Sequence, residues 1–140
     1  MADTNVVVSA SLWTGTPGVV FSLARRGDIA LFASRTLLEE FREVIQRRKF
    51  ARQVQRTGRT AMEIYRDYRI LAERVPARRL TLRIARDADD DQVLACVLAA
   101  RAQLVVSGDD DLLALGAFRG IEIIAPAVLA KRFAHRMRPL

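Results

Sequence analysis

Short apolar runs alternate with amphipathic stretches along this chain. Residues 3–9 carry Val6, Val7 and Val8, a β-branched run that reads as the end of a buried strand. Gly15-Thr16-Pro17-Gly18 reads as a turn, with Pro17 suited to a helix start. That helix should run through Arg26, with Gly27 just past its end. Residues 29–34 read as a second strand. From 36 to 49 the period is helical: at 100° per residue Leu37, Leu38, Phe41, Val44 and Ile45 form one apolar arc. Glu39 and Glu43 point away from that arc, while Glu40 sits at its edge beside Leu37 and Val44.

A basic helical hairpin is expected over 50–74, broken at Thr57-Gly58 and ended by Pro76. Residues 80–84 alternate weakly and suggest a short strand. Residues 89–102 form a second informative helix. Asp89 with Gln92 fits a capping box, and Asp90 and Asp91 then fall in the first turn, where the helix dipole favours negative charge. Beyond them it is apolar nearly all round, with small Ala95, Cys96, Ala99 and Ala100 on one side. Residues 104–107 form a buried strand ending in Gly108-Asp109, and 110–115 begin another helix. Residues 121–124 are the last strand, and Pro126 opens a final helix through Phe133. Strands alternating with helices predict an α/β domain with a parallel sheet. There is no repeat, linker or low-complexity segment, and 140 residues suit one domain.

Charge adds a partner to this picture. The formal net charge is +7, and only Lys49 and Lys131 are lysines, so the excess is arginine. Guanidinium forks match phosphate oxygens, which favours a nucleic-acid partner. Arg47, Arg48, Arg52, Arg56 and Arg59 are candidates to follow an RNA backbone, with a solvated helix face as the plainer reading. Cys96 is the single cysteine, so disulfide frameworks and Cys/His zinc clusters are excluded. His135, the single histidine, stands in a basic tail, which argues against Ser-His-Asp and Cys-His hydrolases. Trp13 suits packing better than base stacking. No basic, apolar leader opens the chain and no apolar run reaches the roughly 18 residues of a membrane span, so a cytoplasmic protein with no membrane partner is expected.

The acids carry the candidate chemistry. Asp109 follows an apolar strand, and ligands of open parallel sheets bind outside the C-terminal strand ends. Asp3, Asp91 at a helix start and Glu40 at a helix edge are placed to converge on the same crevice. Two carboxylates about 4 Å apart repel by roughly 4 kcal/mol at an effective dielectric of 20, so such a set calls for a cation. Carboxylates without histidine or thiolate suit Mg²⁺ or Mn²⁺, which promote phosphodiester hydrolysis. Asp3, Glu40 and Asp91 are the expected metal ligands and catalytic acids, with Asp109 a ligand or an orienting group. Asn5 and Ser107 are expected to hydrogen-bond carboxylates, water or phosphate. Singly, each acid has a plainer role as a cap, a turn or a charged helix face; their joint placement is the signal.

An ordered set of motifs carries a resemblance. Asp3-Thr4-Asn5-Val6, Leu38-Glu39-Glu40-Phe41-Arg42-Glu43-Val44, Arg48-Lys49-Phe50, Asp87-Ala88-Asp89-Asp90-Asp91, Val105-Val106-Ser107-Gly108-Asp109, Asp111-Leu112-Leu113 and Ile124-Ala125-Pro126 together resemble the PIN-domain family. The likeness is strongest to the toxin components of type II (VapBC-type) toxin–antitoxin systems. It implies a three-layer α/β/α sandwich around a short central parallel sheet, spanning residues 1–140 as one domain. It also implies a Mg²⁺- or Mn²⁺-dependent ribonuclease acting on RNA, a homodimer and a cognate antitoxin. The family's acids fall on Asp3, Glu40, Asp91 and Asp109, its polar residue before the last acid on Ser107, and its early Asn on Asn5. Asp91 is preferred because Val93, Leu94 and Ala95 then match the family's apolar positions; Asp90 is the alternative, and Asp111 is a supporting acid. Only Met1 and Ala2 precede Asp3, so the first strand is expected to be clipped. That leaves a second expectation, a catalytically weakened module that binds RNA or antitoxin.

Overall fold

The computed structural model describes residues 1–12, 18–76 and 88–134, with side chains from Val93 onward in the last stretch. Residues 15–17 of the expected 15–18 turn, the strand at 80–84, Trp13 and His135 lie outside the described residues.

The first correction comes at Val6-Val7-Val8. These residues lie in helix α1 (Thr4–Leu12), not in a strand. Asp3 caps the helix, its Oδ1 accepting the Val6 N–H at 2.9 Å. All three valines are buried. Burying each contributes about 1.5–3 kcal/mol, more than the roughly 0.7 kcal/mol a β-branched residue costs a helix, so tertiary packing overrides local preference. The first strand shrinks to one parallel bridge, Ala2 against Val106.

Helix α2 (Val19–Arg25) ends as expected. Gly27 has φ +79°. Its N–H donates to Ala24 O and that of Asp28 to Leu23 O, a closure that needs a left-handed residue at position 27. Strand β1 (Phe32–Ala33) is shorter than the 29–34 expected. Helix α3 (Arg35–Ile45) is capped by Ser34 and buries the whole predicted arc, Leu37, Leu38, Phe41, Val44 and Ile45. A 3-10 turn (Arg48–Phe50) leads into α4 (Ala51–Arg56). The break at Thr57-Gly58 follows, and α5 (Ala61–Leu71) opens with a Thr60/Glu63 capping box.

The hairpin stops before Pro76. Ala72 turns to extended backbone, and β2 (Glu73–Arg74) pairs in parallel with β1. The Glu73 and Val75 N–H groups donate to Leu31 O and Ala33 O. The exchange with β1 satisfies backbone groups that another helical turn would have satisfied internally.

Helix α6 (Ala88–Ala100) starts one residue before Asp89, so Asp89 is inside the first turn and is not the cap. Strand β3 (Leu104–Val106) pairs in parallel with β5 (Ile121–Ile124), Val106 opposite Ile124. Helix α7 (Asp110–Leu115) lies between them in sequence. Strand β4 (Ala117–Phe118) runs antiparallel to β5, so this sheet is mixed rather than purely parallel. Arg119 and Gly120, both at positive φ, make the tight turn joining them. Helix α8 (Pro126–Arg132) closes the described elements, with Pro126 in its first turn.

The β3–β5 sheet is apolar on both faces. Val106 and Ile124 share a core with Val6, Val7, Leu23 and Leu129 from the flanking helices. Val105 and Ile123 face a second core with Leu94, Cys96, Val97 and Leu112. The fold is therefore α/β, with helices on each side of this sheet. Among the described residues, no helix is long and apolar enough to cross a membrane.

Candidate active site

Three strand ends meet at one edge. Ala2 lies beside Val106, and Val106 beside Ile124, all parallel. The next residues, Asp3 and Ser107, therefore leave the sheet side by side at its C-terminal edge. Backbone bonds fix this register: the Asp3 N–H donates to Val106 O at 3.1 Å, the Val106 N–H to Met1 O at 2.7 Å, and the Ser107 N–H to Ile124 O at 2.9 Å.

Asp3 is only 5% exposed and Ser107 wholly buried. The Ser107 hydroxyl donates to Asp3 Oδ2. Ser107 Oγ in turn accepts the Asp109 N–H at 2.9 Å. One serine thus positions two acids. Asp109 caps α7, its Oδ1 accepting the N–H groups of Asp111 at 2.9 Å and Leu112 at 3.0 Å. Burial raises the Asp3 carboxyl above its ordinary pKa, and the charge of Asp109 raises it further; hydrogen bonds from Ser107, Val6 and Gly108 pull the other way.

Glu40 comes from the opposite wall. It is half-buried, while Glu39 and Glu43 are exposed, as the helical period required. The Thr4 hydroxyl donates to Glu40 Oε2 at 2.9 Å. Thr4 is the residue after Asp3, so α1 carries one acid and holds the other. No local signal points to this role of Thr4, since its partner lies 36 residues away. Helix α3 also packs against α6, whose first turn contains Asp89, Asp90 and Asp91.

The remaining candidates are placed more loosely. Asn5 is exposed on the first turn of α1, and Asp111 contributes its N–H to Asp109 while its own side chain is exposed. Arg47, Arg48 and Arg52 are exposed around the 3-10 turn and α4. The structure thus joins Asp3, Ser107 and Asp109, and ties Glu40 to the neighbour of Asp3. Among the described residues, no three His, Cys, Asp or Glu side chains are grouped closely enough to hold an ion. The side chains of Asp90 and Asp91 lie outside that set.

Residues 1–111 match a family model described as the PIN domain. The chain belongs to the PIN-domain family. PIN domains are in general nucleases, which is the activity class the family brings to this chain. No curated protein and no solved structure matches it. The stretch matching the PIN domain holds Asp3, Glu40, Ser107 and Asp109 and ends at Asp111, whereas β5, which anchors Ser107, follows it.

PIN domains usually use divalent metal ions, and the donors here fit a hard one. Asp3, Asp109 and Glu40 offer carboxylate oxygens, the donors that Mg²⁺ and Mn²⁺ prefer. Burial chiefly, and Asp109 to a lesser degree, disfavour the charged form of Asp3, a cost that a bound cation would offset. Cys96 is no competitor: it is buried in the second core, and burial pushes its thiol up to about 11.

Proposed function

We propose that this PIN domain is a metal-dependent endoribonuclease and the toxin of a toxin–antitoxin pair. The observation that carries the nuclease site is the Ser107 bridge between Asp3 and Asp109. A buried carboxylate held beside a second acid costs stability unless a cation neutralises it. In this reading Asp3, Glu40, Asp91 and Asp109 hold Mg²⁺ or Mn²⁺, with Asp90 the alternative to Asp91. The ion, when bound, supplies charge neutralisation and an acidified water for phosphodiester hydrolysis.

The chain's own residues do the positioning. Ser107 fixes the rotamer of Asp3, and Thr4 fixes that of Glu40. Asp111 steadies Asp109 through its N–H, and exposed Asn5 is available to a phosphate or water. We further infer one domain over residues 1–140, built as an α/β/α sandwich, that forms a homodimer and is blocked by a cognate antitoxin. RNA is the substrate in this reading because arginine supplies nearly all of the +7 net charge. The cytoplasm is the inferred compartment.

The test is cleavage of single-stranded RNA with Mg²⁺ or Mn²⁺. Chelation, Asp91→Asn and Asp109→Asn should each abolish it. Cleavage that persists in chelator, or survives both substitutions, overturns the proposal. A weakened RNA- or antitoxin-binding module is the second reading. Its support is that Asp109 Oδ1 is already engaged by two helix amides. It predicts salt-sensitive binding without turnover.

A further inference from the structure

Helix α3 has a second working edge. Glu40 faces α1, but Arg35, Leu38, Glu39 and Arg42 repeat at helical spacing on another side. At 100° per residue Arg35 and Arg42 lie roughly 140–160° around the axis from Glu40. That side meets α5, where Met62, Tyr65, Arg66 and Arg69 form a matching stripe. The two stripes and Arg74 of β2 enclose a groove of about 350 Å³. Five arginines line it, against one carboxylate, Glu39.

The charges in this groove are poorly compensated from within. Of these five arginines, only Arg42 has a carboxylate of a described residue within 4.0 Å, Glu39 at 3.8 Å. Arg42 also lies over the ring of buried Tyr65, 5.9 Å from its centroid, which holds that guanidinium against the wall. Two placements work against local stability. Arg35 is the first residue of α3, where the helix dipole disfavours a cation, and no acid stands in that first turn. Arg66 and Arg69 are like charges three residues apart on α5, a spacing that costs a few tenths of a kcal/mol. Local rules broken together in one place mark a functional surface. Planar forks around a groove suit phosphate oxygens taken two at a time.

We propose that the α3–α5 groove binds the phosphate backbone of single-stranded nucleic acid, as an exosite separated from the acidic edge by the width of α3, about 10 Å. Arg35, Arg42, Arg66, Arg69 and Arg74 make the phosphate contacts. The choice of a nucleic-acid strand as the polyanion rests on the nuclease reading above. The arginines expected from sequence alone, Arg47, Arg48, Arg52, Arg56 and Arg59, lie outside this groove.

The test is binding of a short fluorescent single-stranded RNA to the full chain in chelator, so that cleavage plays no part. Two double variants take the two walls separately: Arg66→Gln/Arg69→Gln and Arg35→Gln/Arg74→Gln. A charge-matched control, Arg25→Gln/Lys131→Gln, changes α2 and α8 instead. Each groove variant should weaken binding at least about tenfold and reduce the slope of log K against log salt by about 1.4, or 0.7 per lost phosphate contact. The control should keep more of both, and unchanged thermal midpoints show that the variants fold. Groove variants that bind RNA like the control overturn the proposal. So does saturation of the groove by polyglutamate that RNA fails to displace, or by a mononucleotide as tightly as by the strand. Loss of cleavage in Asp109→Asn with binding intact separates failure of the catalytic site from failure of the groove.

Discussion

The Thr4 hydroxyl donates to Glu40 Oε2 at 2.9 Å and so ties the start of α1 to the middle of α3. Thr4→Val keeps the shape and removes the donor. It should cost about 1 kcal/mol of stability in urea titration and about 10–100-fold in metal-dependent cleavage, as losses of orienting partners do. Thr4→Ser should restore most of both. Full cleavage by the valine variant would show that Glu40 needs no orientation from Thr4.

Stability should fall with rising pH because of Asp3. Its folded pKa is raised, chiefly by burial and further by Asp109. The folded chain therefore holds the proton more tightly than the unfolded one. This contribution is full below the ordinary carboxylate pKa and is lost as pH climbs through the raised value. Asp3→Asn keeps a good helix cap and removes the titration. Without divalent ions it should unfold at higher urea than the parent at neutral pH, with the difference vanishing in acid. A variant less stable than the parent at neutral pH would contradict this sign.

A divalent cation should offset the same repulsion. Magnesium or manganese at about a hundred times its dissociation constant adds roughly 2.7 kcal/mol, several degrees in thermal midpoint. Matched ionic strength in KCl should not reproduce the shift. Asp109→Asn should reduce it, and an equal shift in that variant would remove Asp109 from the cation site.

Cys96 should be silent in the folded protein. Burial pushes its thiol up to about 11, and its side chain has no solvent exposure. A disulfide reagent near pH 8 should label it only at the rate of unfolding. Prompt labelling of the native chain would mean that the second core opens readily.

What could be read in advance depended on the range of the interaction. Helix α3 was legible because its apolar arc repeats within a few residues, and the same period separated Glu40 from Glu39 and Glu43. Gly27, Thr57-Gly58 and Asp110 to Leu115 were legible for the same reason. Helix α1 was not, because its valines gain from burial what they lose in propensity. Strands β2 and β4 have two residues each, too few to show an alternating pattern. The acids could be nominated one by one, but the contacts that join them span 36 and 104 residues and leave no local signal. The arginine groove failed differently: its spacing was present in α3 and α5, but only their packing shows that the two stripes face each other.

The span between Asp3 and Ser107 has a consequence during synthesis. Asp3 is made 104 residues before the Ser107 hydroxyl that seats its carboxylate. Its backbone N–H is likewise received by Val106. A ribosome-bound chain lacking β3 therefore has no seat for this acid, however much helix it has already formed. In this order of synthesis the Asp3–Ser107–Asp109 arrangement cannot assemble until β3 and the start of α7 have emerged.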